Sequence, residues 1–79
     1  MSETLAVLAT GVAREIAALE LPAEDAAALD GLGLSPGRAV TVLRRAAFGG
    51  PLHLRVDTGV ELALDRALAA GVTLRPVRP

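Results

Sequence analysis

Cysteine, lysine, tryptophan and tyrosine are missing from this chain, and each absence removes a class of chemistry. Without cysteine there is no disulfide, no thiolate metal site and no cysteine nucleophile. Phe48 is the whole aromatic complement, so the stacked aromatic platforms that hold single-stranded nucleic acid are not available. With lysine absent, every basic side chain is arginine, and the formal net charge of -1 supplies no long-range pull toward nucleic acid or an acidic membrane. No apolar run reaches the ~20 residues of a membrane-spanning helix. The opening Met-Ser-Glu-Thr carries an acid where a secretory leader carries basic residues. The expected location is the cytoplasm, without direct membrane insertion.

What is present suits one small domain over residues 1–79, with 52% hydrophobic and 22% charged residues. At this size only ~60% of the unfolded surface is buried, so the stability margin is narrow. Leucine, valine, isoleucine and alanine have to build the core.

Turn signals divide the chain. Leu5, Leu8, Val12, Ile16 and Leu19 recur at helical spacing, although Gly11 interrupts them. Leu21-Pro22-Ala23-Glu24-Asp25 reads as a helix start, with proline in the first turn and acids at the positive end of the dipole. That helix ends at Gly31 or Gly33. Pro36-Gly37 is the centre of a type II turn. Val40 and Val42 alternate with Thr41 and Leu43 up to Arg44-Arg45, and Phe48-Gly49-Gly50-Pro51 is a loop. Leu52, Leu54 and Val56 alternate with His53, Arg55 and Asp57, and after the Thr58-Gly59 turn Val60, Leu62 and Leu64 alternate with Glu61, Ala63 and Asp65. A helical turn over Asp65–Ala70, closed by Gly71, leads to a last strand at Val72–Leu74. Short strands separated by frequent turns predict a small β-barrel, with the Val40, Leu54 and Leu62 rows meeting in one core.

The polar residues assemble no catalytic pattern. Ser2 and Ser35 sit at a terminus and in a turn, so no nucleophilic triad is built. Gly49-Gly50 is followed by neither a Gly-Lys-Ser/Thr run nor a helix, which excludes a phosphate loop. His53, Asp57 and Glu61 on adjoining strands form a weak candidate for a divalent ion, and they read first as solvent-facing residues of a half-buried strand. No metal, cofactor, enzymatic activity or nucleic-acid partner is expected. Phe48, at a glycine-rich tip, is either folded back as a lid on the barrel, the reading favoured here, or exposed as an anchor for a partner.

Several segments together resemble the ferrous iron transport protein A (FeoA) family: Leu32-Gly33-Leu34 followed by Pro36-Gly37, Val42-Leu43-Arg44-Arg45-Ala46, Gly49 with Pro51 before a strand, and Leu62-Ala63-Leu64. Their order and spacing carry the resemblance, which spans roughly Gly11 to Arg75. Departures from the family pattern fall at Asp30, Ala47, Gly50 and Asp65. The resemblance implies a five-stranded SH3-like barrel with one short helix between strands 1 and 2 and a helical turn before the last strand. It turns Gly11–Leu19 from helix to strand. It further implies an accessory protein of bacterial ferrous iron transport that binds the cytoplasmic part of the FeoB transporter and is recruited to the inner face of the cell membrane. The alternative is an interaction domain related to the C-terminal domain of metal-dependent transcription repressors, and direct metal carriage is a third class. The partner surface expected from helix end and loop together comprises Leu32, Leu34, Arg44, Arg45, Phe48 and Leu52.

Overall fold

A computed structural model describes residues 3–78. Its strands are β1 (Glu3–Thr4), β2 (Ala13–Leu19), β3 (Ala39–Arg45), β4 (Leu52–Val56), β5 (Glu61–Leu64) and β6 (Val72–Arg75). Helix α1 (Ala23–Gly31) joins β2 to β3, and α2 (Arg66–Ala69) joins β5 to β6. Short 3-10 turns occupy Leu5–Val7 and Ala47–Gly49. All strand pairs are antiparallel, and the sheet runs β1-β6-β2-β3-β4-β5.

The five expected strands are present, and the short β1 is added to them through Glu3↔Leu74 and Thr4↔Thr73. Two residues are too few to show an alternation, which is why composition and pattern pass over this strand. The helical spacing of Leu5 to Leu19 dissolves into two structures. Leu5 and Leu8 are buried from a 3-10 segment, and Ile16 is buried from β2 after a turn in which Gly11 takes φ 79°. A left-handed residue at position 11 ends one element and starts the next, and glycine adopts it without steric cost.

Helix α1 is held by little apolar surface, since Leu29 alone among its residues is buried. Its end is well made. Leu34 N–H donates to Leu29 O at 2.9 Å and Gly33 N–H to Asp30 O at 3.0 Å, with Gly33 at φ 95°. This pair of bonds is a Schellman closure, and its apolar contact is supplied by buried Leu29 and Leu34. The Pro36-Gly37 turn then closes with Arg38 N–H on Ser35 O at 3.1 Å.

The core gathers Ile16, Val40, Val42, Leu52, Leu54, Val56, Leu64, Val72 and Leu74 from every strand but the shortest, with Leu5, Leu8, Leu29, Leu34 and Ala69 from the helices and connections. One expected row is corrected: Val60 is 48% exposed at the β4–β5 turn and Leu62 is only half-buried against the core. A strand after a tight turn enters the core gradually, and in β5 only Leu64 is fully buried.

Candidate functional site

A β-bulge decides what the double arginine does. Up to Val42↔Leu54 the register of β3 on β4 follows the alternation, which would carry Arg44 to the core-facing side with Leu52. At Leu43 the register slips by one, so Arg44 pairs with His53 and Arg45 with Leu52. Directly opposed residues share a face of an antiparallel sheet. Arg44 is thereby turned outward and is exposed, whereas Arg45 reaches inward along the barrel end. Arg45 Nη1 donates to Ala6 O at 2.6 Å and Nη2 to Leu8 O, tying the N-terminal segment to β3.

The strands end in a tight loop. Ala46 N–H donates to Pro51 O at 3.1 Å, and Gly50 N–H to Ala47 O at 3.2 Å. A Cβ on Gly50 would stand 2.7 Å from the Cβ of Ala46, so only glycine lets the chain turn this closely. Phe48 sits at the tip with φ 58° and ψ 38°, fully exposed. The lid reading is thereby overturned: the ring does not fold back on the barrel. A bulky residue in the left-handed region costs about 1–2 kcal/mol, and here no burial of the ring offsets that.

Behind the loop lies a groove of about 220 Å³. Arg44, Arg45 and His53 supply its polar lining, and Ala46, Pro51, Leu52 and Ala63 the apolar part. Ala63 faces His53 directly across β4–β5, and its small side chain leaves the space open. Of the six residues expected to form a partner surface, the structure brings Arg44, Arg45 and Leu52 together at this groove with Phe48 beside it. Leu34 and Leu52 are fully buried, so neither offers a side chain to a partner; Leu34 belongs to the helix closure. Leu32 is exposed at the end of α1 and does not line the groove. Ala46, Pro51 and Ala63 were not anticipated. Their only signal is that small residues and a proline flank the loop and face the lone histidine.

The candidate metal residues are separated. His53 Nε2 lies 3.2 Å from Glu61 Oε1. Asp57 is turned away, accepting from Ala39 N–H at 3.1 Å and lying 3.6 Å from Arg38 Nη1. Among the described residues no group of three or more histidines and carboxylates converges on one point.

A polar cluster that sequence reasoning missed lies on the seam of β2 and β6. Glu15 is buried in the middle of β2, where its carboxylate accepts from Arg75 and lies 3.1 Å from Arg78 Nε. The hydrogen bond from Arg75 holds the carboxyl below its ordinary pKa, with Arg78 adding to this and burial opposing it. Glu15↔Arg75 is a direct cross-strand pair, which only the fold could reveal.

The sequence matches the FeoA domain family over residues 3–76. The chain belongs to that family. Among solved structures it is similar to an iron uptake regulatory protein, FeoA, with 27% identity, 95% of this chain and 96% of the other covered, and a TM-score of 0.81. The FeoA protein of Chlorobium tepidum, solved by NMR, shares 28% identity over 96% of this chain and 71% of its own, with a TM-score of 0.86. A manganese-dependent transcriptional repressor shares the fold alone, at 19% identity and a TM-score of 0.85, over 94% of this chain and 36% of the repressor. No curated protein matches the chain. The SH3-like fold expected of a FeoA domain is the fold observed, and the family ties the chain to ferrous iron transport.

Proposed function

We propose that this FeoA domain is a non-enzymatic accessory of ferrous iron uptake that binds the cytoplasmic part of FeoB and tunes its transport or nucleotide cycle. The observation that carries this reading is the exposed Phe48 on a glycine-built tip in a chain that matches the FeoA family along residues 3–76. A strained, unburied aromatic gives the fold nothing, whereas in an interface such a ring supplies the anchor that dominates binding.

No helix among the described residues is long and apolar enough to cross a membrane, so the proposed recruitment to the inner membrane face comes through the transporter. An interface of this scale buries on the order of 800 Å² per partner or less, which suits a transient, regulatory contact. The test is a titration of the purified cytoplasmic part of FeoB with this protein and with its Phe48→Ala variant. Saturable binding, weakened in the variant while its melting temperature holds, supports the reading. No binding by the natural chain refutes it.

A further inference from the structure

We infer that the groove behind the Phe48 loop takes a protein segment in which an apolar side chain is flanked by a carboxylate. The inference rests on the transporter reading only for the identity of the partner, since the chemistry is set by the groove.

The volume selects the class of occupant. About 220 Å³ is below the ~300–1,000 Å³ of pockets that enclose small molecules. That is space for one or two side chains. The lining then selects the chemistry. Ala46, Pro51 and Ala63 give an apolar wall without hydrogen-bonding side chains. Of the two arginines at the groove, Arg45 is committed to the carbonyls of Ala6 and Leu8. Arg44 is exposed and makes no ion pair or side-chain hydrogen bond among the described residues. Glu61, on the outer row of β5, contacts His53 at 3.2 Å. A free guanidinium beside an apolar wall is complementary to a carboxylate carried next to an aliphatic residue.

The bulge at Leu43 makes this arrangement specific to the observed register. Without the slip, Arg44 would oppose core-facing Leu52 and Arg45 would fall on the outer row in its place, so the slip decides which arginine faces the groove. Phe48, at the tip of the loop whose base forms the apolar wall, adds a projecting anchor to the receiving groove. The surface therefore both gives and accepts a side chain, a geometry that fixes the partner's direction along the loop.

The probe is a pentapeptide, Ala-Leu-Asp-Leu-Ala, blocked at both ends, with counterparts carrying Asn or Lys in place of Asp. Backbone amide signals are followed by NMR during titration of the natural chain and of Arg44→Glu. The Asp peptide is expected to shift the signals of Arg44, His53 and Ala63, with about ten-fold weaker binding of the Lys peptide. In Arg44→Glu the preference is expected to reverse. Equal shifts from all three peptides, shifts on another face, or no shift at the groove overturn the inference.

The same variant on the cytoplasmic part of FeoB separates the two readings. If the natural chain does not bind it while the peptide preference holds, the transporter reading falls and the groove's chemistry stands. If the natural chain and Arg44→Glu bind it alike, the transporter reading stands and the groove's role falls. Ala63→Leu, which fills the groove from β5 without adding charge, is a second variant and is expected to abolish the Asp-peptide shifts while leaving the guanidinium of Arg44 in place.

Discussion

The seam where the N-terminal segment, β2 and β6 meet satisfies its charges internally, whereas the end of the β3–β4 hairpin leaves its own unsatisfied. On the seam Glu15 receives two arginines, Arg14 Nε donates to Glu3 at 3.0 Å, Thr73 Oγ1 donates to Ala18 O at 3.2 Å and Arg45 closes on two carbonyls. At the loop Arg44 has no counterpart among the described residues and Phe48 has no cover. Both regions are built from arginine and short strands, so composition does not separate them. The difference is where the interactions end: within the chain at the seam, outside it at the loop. Mutations at the first should cost folding, and mutations at the second should cost binding.

The largest effect tests the hairpin that carries the loop. Leu54 is fully buried, and Leu54→Asp places an unpaired charge in the core, so a loss of more than about 4 kcal/mol is expected in denaturant unfolding. Leu62→Asp, at a half-buried position, should cost about half as much. Equal losses at the two sites would contradict the observed entry of β5 into the core.

Next comes the seam itself. Arg45→Ala leaves the carbonyls of Ala6 and Leu8 without their donor, and about 2 kcal/mol is expected for charge-assisted bonds at a partly exposed site. The Glu15 cluster is tested by pH. Its carboxyl has a lower pKa folded than unfolded, so its contribution is fully present above the unfolded pKa and is lost as pH falls through the folded one. The melting temperature of the natural chain should therefore fall more steeply than that of Glu15→Gln on acidification from neutral pH. Parallel curves would show that the carboxylate stabilises nothing.

Much of this fold is legible in the residue order. Pro36-Gly37, Thr58-Gly59 and the alternation through Leu52–Val56 point to turns and strands by local sterics, and the structure places them there. Three features are not local and stay hidden. The helical spacing at Leu5–Leu19 misleads because a 3-10 segment and a strand lie end to end, and the family resemblance rather than the periodicity points to the strand. The Glu15 pairing joins residues from the two ends of the chain. The bulge at Leu43 has no composition mark, yet it decides which arginine is free. The expected partner surface joined Arg44 and Phe48, which are exposed, with Leu34 and Leu52, which are buried, Leu34 in the closure of α1 and Leu52 on the core face of β4.

The smallest folding effects belong to the loop and carry the sharpest test of the contrast. Phe48 is fully exposed in a left-handed conformation. Its removal therefore sacrifices no burial, and glycine relieves the backbone. Phe48→Gly should stabilise the chain by about 0.5–1 kcal/mol, since the relief of left-handed strain is partly offset by the greater freedom of glycine in the unfolded state. Phe48→Ala, which keeps the strain, should stay within about 0.5 kcal/mol of the natural chain, as should Arg44→Ala at an exposed site. All three should nevertheless weaken binding to the cytoplasmic part of FeoB, with Arg44→Ala acting mainly on the association rate and its dependence on salt. A chain that gains stability while losing its partner shows that the loop's strain is kept for contact. If Phe48→Gly instead melts early, the ring packs on the barrel in solution, and the division between a self-sufficient seam and an outward-directed loop is wrong.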